Sequence, residues 1–193
     1  MLSINQLISE AADFGDLSKF KKIVIAPGRF NPPHRGHKLM IDKLVEFARE
    51  LNAEPVVIIA DSKKYDSRNP LTGEVRKEYI SKMFPSVRCE ISRNPYDCVY
   101  DLASFQKQMP VGCVAGSDRG RAYEKMVKNI FGDEVEFKTR ILVRDPDSSD
   151  IAGISSSKAR EAARNGDVTK FRYLTGLDDT DANDLMDKIR GDE

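Results

Sequence analysis

The chain has 193 residues, of which 40% are hydrophobic, enough for one domain with its own core, and no apolar run reaches membrane-spanning length or follows a basic start as in a secretory signal. Lys plus Arg and Asp plus Glu number 31 each, so no overall field favours wrapping nucleic acid or clinging to an anionic membrane, and any anion site must be local. Cys89, Cys98 and Cys113 are odd in number and widely spaced, which argues against a disulfide framework or a Cys-rich zinc site and favours a reducing, cytoplasmic setting.

The first residues read as a separate piece. Ser3-x-x-Gln6 has the form of a capping box, Ile4, Leu7, Ile8 and Ala11 have helical spacing, and Gly15 is suited to stop a helix, so residues 1–20 are expected to form an amphipathic appendage to a body spanning 21–193. From Ile23 short apolar runs alternate with amphipathic stretches, the mark of β-α-β units that feed a parallel sheet. Strands are expected at about 23–28, 55–60, 88–92, 111–115 and 135–143. Helices are expected at about 37–51, 74–84, 98–108 and 119–131, with two or three more after Ser155. In the first of these, Leu39, Met40, Leu44 and Phe47 form an inward stripe interrupted only by Lys43. Leu185, Met186 and Ile189 predict a terminal helix docked on the body. Sheets of this kind bind ligands beyond the carboxyl ends of their strands, which directs attention to the loops after residues 28, 60 and 115.

The first of these loops is Gly28-Arg29-Phe30-Asn31-Pro32-Pro33-His34-Arg35-Gly36-His37, and it holds both histidines of the chain. Gly28 permits a sharp exit from the strand, Pro32-Pro33 delays the helix, and Gly36 removes a side chain where backbone and ligand would approach closely. His34 and His37 lie three apart across the first turn of a helix, so both rings can face one point beside the free N–H groups, where a phosphate is favoured. Two imidazoles aimed there can donate to non-bridging oxygens and to a departing pyrophosphate. Ordinary helix-start histidines are the alternative, as is a metal pair, although no third ligand has supporting spacing.

Farther on, Ile154-Ser155-Ser156-Ser157-Lys158-Ala159-Arg160 opens a helix that ends at Asn165-Gly166. Serines are good N-caps, but cations in a first turn oppose the helix dipole unless an anion sits there. Asn69-Pro70-Leu71-Thr72-Gly73-Glu74-Val75-Arg76 follows the second strand and reads locally as a turn and helix cap. Ala115-Gly116-Ser117-Asp118-Arg119 ends the fourth strand, with Asp118 placed to cap the next helix.

GRFNPPHRGH resembles the HxGH block of the nucleotidyltransferase superfamily, and its lead-in is most similar to that of the nicotinamide mononucleotide adenylyltransferases. The resemblance implies an α/β fold: a Rossmann-like parallel sheet of about five strands with flanking helices and C-terminal helices. It implies that His34 and His37 are catalytic, contacting ATP phosphates, and that Gly28, Arg29, Phe30, Asn31, Gly36 and Asp118 belong to the nucleotide site. The serine stretch is similar to the ISSTxxR block that binds the β- and γ-phosphates, with Ile154, Ser155, Ser156, Ser157 and Arg160 on it and serine in place of the usual threonine. Asn69 and Arg76 match a block that builds the substrate side. In the mechanism expected here a substrate phosphate is held by Arg76, with Lys63 or Lys64 as further partners. Magnesium would come with ATP, and no metal ligands are assigned to the protein. The absence of tryptophan departs from the nicotinamide enzymes, in which one often stacks the pyridine ring.

The body is also similar to nucleotidyltransferase-like proteins of tailed bacteriophages, through Gly116 to Arg119 and Arg144 to Asp147. Leu7 to Ala11 resembles the targeting peptides of phage head proteins, which implies cleavage after Glu10, association with a phage head and packaging in the virion, as against a helix docked on the core. The function expected is AMP transfer from ATP to a phosphate-bearing substrate, foremost nicotinamide mononucleotide, with release of pyrophosphate. No nucleic acid or membrane partner is expected, and homo-oligomerisation is left open. Cytidylyl transfer, phosphopantetheine adenylyl transfer, a silent virion protein that keeps the fold and an aminoacyl-tRNA synthetase fragment are the rivals, the last opposed by short length and lack of positive charge.

Overall fold

A computed structural model describes residues 14–61, 64–116, 119–142 and 153–191. Five strands, β1 (Lys21–Gly28), β2 (Glu54–Ala60), β3 (Arg88–Ser92), β4 (Gln108–Ala115) and β5 (Lys138–Ile141), form one sheet in the order β3-β2-β1-β4-β5. Every pairing is parallel. Seven α-helices are described: α1 (Lys38–Glu50), α2 (Gly73–Met83), α3 (Pro95–Gln106), α4 (Gly120–Phe131), α5 (Ser156–Arg164), α6 (Val168–Thr175) and α7 (Asp179–Arg190). The fold is α/β and Rossmann-like, with the strand order reversing between β1 and β4.

The central strands are apolar on both faces because helices cover both. Ile23, Ile25, Val56, Ile58 and Cys113 pack on one side against Val99, Leu102, Val127 and Ile130 of α3 and α4. Val24, Ala26, Val57, Ile59 and Val114 face the other way, onto Met40, Ile41, Leu44 and Phe47 of α1 and Ile80 of α2. Burial of a side chain such as Leu44, fully enclosed, stabilises the fold by about 1.5–3 kcal/mol. A third cluster joins α5, α6 and α7 through Ala159, Phe171, Leu174, Leu185 and Met186, and reaches Leu71 and Tyr79 beside the sheet. Leu185, Met186 and Ile189 are buried, as expected of a docked terminal helix.

Several boundaries differ from expectation for local reasons. The inward stripe of α1 is rotated by about one residue: Ile41 and Ala48 are buried with Met40, Leu44 and Phe47, whereas Leu39 is 42% exposed. β4 begins at Gln108, before Pro110, and its register with β1 shifts between Ile23 and Val24, where proline cannot supply a ladder N–H. α3 begins at Pro95, three residues early, because Asn94 caps it by accepting from the Asp97 N–H at 2.9 Å. β5 spans only Lys138–Ile141, and Val135 enters the core from the loop before it. Gly15 has a left-handed φ of +69, and the helix it was expected to stop lies outside the described residues. The capping box at Ser3, the cleavage point after Glu10, Lys63, Asp118 and the Arg144 to Asp147 segment lie outside the described residues.

Candidate active site

A cavity of about 620 Å³ opens where the strand order reverses, between the carboxyl end of β1 (Pro27 and Gly28) and that of β4 (Ala115 and Gly116). The segment after β1 forms one wall. Phe30 adopts a left-handed φ of 49, uncommon for a residue with a side chain, and its ring is buried 4.7 Å from the His37 ring. A methyl group on Gly28 would stand 2.7 Å from that ring, so glycine is required by Phe30. The Asn31–Pro32 peptide is cis.

His34 and His37 come together around a short 3-10 turn, Arg35–His37, that leads into α1. Their rings are 3.7 Å apart between centroids, and both line the cavity. The main-chain N–H of His34 donates to His37 Nδ1 at 3.1 Å, so a neutral His37 ring carries its proton on Nε2. Arg35 points the other way, donating to the Tyr173 carbonyl at 3.4 Å near the end of α6.

The serine segment closes onto this wall from 120 residues farther along the chain. Ser155 caps α5, with its Oγ accepting from the Lys158 N–H at 3.3 Å. Ser156 Oγ donates to the Pro32 carbonyl at 2.9 Å. Arg160 donates to the Asn31 carbonyl at 2.5 Å and to Ser157 Oγ at 3.0 Å. The three serines and Arg160 therefore share one cavity with the two histidines. Lys158 is spent on the Gly153 carbonyl at 2.8 Å, so Arg160 carries the charge of this helix start into the site.

Not every expected residue meets the ligand space. Gly36 lies behind the wall: a methyl group there would stand 2.9 Å from the Ile154 carbonyl oxygen and 3.0 Å from the His34 ring. The close approach it permits is thus to protein, where a ligand was expected. Ile154 itself is buried in the helical cluster. Asn31 borders the cavity, but its side-chain amide donates to the Leu71 carbonyl and accepts from the Leu71 N–H, both at 3.2 Å.

Arg76 requires the largest correction. It is 2% exposed and donates to the carbonyls of Thr72 at 3.1 Å, Arg29 at 2.6 Å and Ala60 at 3.0 Å, and it pairs with Asp61. Burial lowers its pKa, and Asp61 opposes that shift. A guanidinium so engaged ties the ends of β1 and β2 to α2 and is not available to a substrate phosphate. Asn69 does line the cavity, on a tight turn at 66–69, together with Arg68, which sequence reasoning passed over although it adjoins the Asn69 block. Lys64 is exposed and is not among the residues that line the cavity.

Arg29, Arg68, Arg119 and Arg160 all border the cavity, and no described residue bordering it is a carboxylate. Burial lowers the pKa of Arg160, the nearby charges of Arg164 and Arg29 lower it further, and Asp66 opposes the shift. Among the described residues, no group of three His, Cys, Asp or Glu could hold a metal ion.

A model of the cytidylyltransferase-like family matches residues 25–162, well over half of the chain. The chain belongs to this cytidylyltransferase-like family. The match runs from β1, before the histidine turn, into α5, whose start is the serine cap. A comparison with curated proteins finds no match. Among solved structures, the cytidylyltransferase-like chain resembles the Plasmodium falciparum nicotinic acid mononucleotide adenylyltransferase complexed with NaAD, with 18% identity, TM-score 0.55, and 88% of this chain and 98% of that one covered. The same enzyme complexed with APC gives 18% identity and a TM-score of 0.51, covering 89% and 95% of the two chains. A Vibrio parahaemolyticus protein provisionally named a nicotinate-nucleotide adenylyltransferase gives 19% identity and a TM-score of 0.53, covering 86% and 99%. At such identities these likenesses establish the fold.

Proposed function

We propose that this chain transfers AMP from ATP to a phosphate-bearing acceptor, nicotinamide mononucleotide foremost, and releases pyrophosphate. The observation that carries the reading is the meeting of His34 and His37 with Ser155, Ser156, Ser157 and Arg160 around one arginine-lined cavity. A triphosphate fits that chemistry: hydroxyls, helix N–H groups and a guanidinium for the β- and γ-phosphates, and imidazole donors for the α-phosphate. An acceptor phosphate oxygen attacks the α-phosphorus, the bond from that phosphorus to the bridging oxygen breaks, and pyrophosphate leaves with the electron pair. The residues position the reactants and meet the growing charge, with no covalent enzyme intermediate.

His37 suits this role because its Nδ1 is held by the backbone and its Nε2 proton remains a donor. Arg68 and Asn69 supply the acceptor wall in place of the buried Arg76. Phe30 and Tyr123 both border the cavity, in a chain without tryptophan. Magnesium belongs to this reading as part of the nucleotide substrate, its shell made by triphosphate oxygens and water. The names of the neighbouring proteins, which include a nicotinic acid mononucleotide adenylyltransferase, support a pyridine mononucleotide acceptor.

The test is pyrophosphate release with ATP or CTP against nicotinamide mononucleotide, nicotinic acid mononucleotide, glycerol phosphate and phosphopantetheine. Release with ATP and a pyridine mononucleotide is expected. Release with CTP and glycerol phosphate alone, or with phosphopantetheine alone, would replace the substrate assignment. Nucleotide binding with no release from any pair would make the protein a silent relative.

A further inference from the structure

The helix that opens with the serine cap also holds the acceptor side of the cavity, through a residue outside the cavity wall. Arg164 lies four residues after Arg160, on the same face of α5, and its guanidinium donates to the Ser67 carbonyl. Ser67 belongs to the turn in which Asp66 Oδ1 accepts from the Arg68 N–H at 2.8 Å and the Asn69 N–H at 2.9 Å. That turn presents Arg68 and Asn69 to the cavity. At its far end, Asn31 clamps both backbone groups of Leu71. One end of the turn is thus tied to the histidine segment and the other to the serine helix. Asp66 also faces Arg160 electrostatically, opposing the shift that burial and the Arg164 charge impose there.

We propose that Arg164 is a positioning residue for the acceptor: its hold on Ser67 fixes Arg68 and Asn69 at the spacing an acceptor phosphate needs relative to a triphosphate seated on the start of the same helix. This rests on the adenylyl-transfer reading above. The geometry has a consequence that a general strut would lack. The hydrogen bond of Arg164 reaches the acceptor turn alone, because the contacts of Ser155 to Arg160 lie earlier in the helix and do not pass through Ser67; toward the triphosphate end Arg164 acts only through its charge beside Arg160, which Arg164→Lys keeps.

Arg164→Ala and Arg164→Lys separate the possibilities when pyrophosphate release is measured with ATP and nicotinamide mononucleotide. For Arg164→Ala, the expected result is a rise of about tenfold or more in KM for the mononucleotide, with KM for ATP within about twofold of the parent. Arg164→Lys, which keeps a donor for the Ser67 carbonyl, should recover much of the loss. A parallel rise in both KM values, or no rise in either, would overturn the proposal.

A second measurement stands apart from turnover: amide hydrogen exchange on the full chain without ligand. Faster exchange at Arg68 and Asn69 in Arg164→Ala, with α5 protection unchanged, supports the clasp. Unchanged exchange at the turn overturns it, and so does loss of protection along α5. If the parent protein releases no pyrophosphate with any pair, the functional reading fails while the exchange result still decides whether Arg164 holds the turn.

Discussion

His37 has its Nδ1 fixed by the His34 N–H, which leaves the ring a single donor nitrogen, while His34 stacks beside it at 3.7 Å. Removing a transition-state donor of this kind costs on the order of 10²–10³ in rate. His37→Ala is therefore expected to lower kcat by that order while the far-ultraviolet circular dichroism and melting temperature stay near those of the parent. Parent-like turnover in the folded variant would count against a catalytic role. Arg76 behaves in the opposite way. It is buried, satisfied by three carbonyls and paired with Asp61, so Arg76→Met would strand these acceptors and cost about 3–5 kcal/mol, read as a shift in the urea midpoint. The two residues also show what is legible locally. A histidine pair three residues apart, after a glycine and two prolines, brings its rings together at the cavity, a juxtaposition readable from spacing. An arginine in a polar stretch reads as a phosphate ligand until the carbonyls around it are known, and those of Arg29 and Ala60 come from other strands' ends.

At the scale of elements, the site depends on how closely the 3-10 turn and the serine segment approach. Gly36 allows that approach, and a methyl group there would press on the Ile154 carbonyl at 2.9 Å. Gly36→Ala should separate the histidines from the serine cap and reduce kcat by about tenfold or more, well beyond any change in helix propensity, which is within ~1 kcal/mol. A parent-like rate would show that the two segments tolerate separation. The turn at 66–69 gives a pH prediction. Backbone N–H groups of Arg68 and Asn69 hold Asp66 below its ordinary value of 3.8. Its contribution to the turn is complete above that value and is lost as pH falls through the lower, folded value. A carboxyl titration followed by NMR should place the Asp66 midpoint below 3.8, and a midpoint at or above it would mean that the turn is open in solution. Helices were readable from capping residues and apolar spacing, yet the early start of α3 turned on Asn94-Pro95, a cap and first-turn pair outside the apolar stripe.

For the whole molecule, alternating apolar runs were enough to predict five parallel strands and their covering helices, because strands buried on both faces and amphipathic helices leave different patterns. Strand order was not legible: what places β4 beside β1 is packing of residues such as Ile25 and Cys113 in one layer, which no local pattern encodes. The same burial predicts chemical inertness of the thiols. Loss of solvation raises the pKa of Cys89 and Cys113 to about 11 and that of Cys98 to about 12. All three are buried and free, so a thiol reagent at neutral pH should label none in the native protein and all three after denaturation. Rapid labelling of the native chain would contradict this packing.

The bond from Arg160 to the Asn31 carbonyl joins parts of the site made at very different times during synthesis. While the ribosome is still translating α4, a growing chain already displays its imidazoles but has no α5 with which to grip a triphosphate. A triphosphate held as proposed would therefore find its full site only after all five strands have been made. It would then act as a late fastener, adding about 2.7 kcal/mol of stability at a hundredfold excess over Kd to a fold already formed.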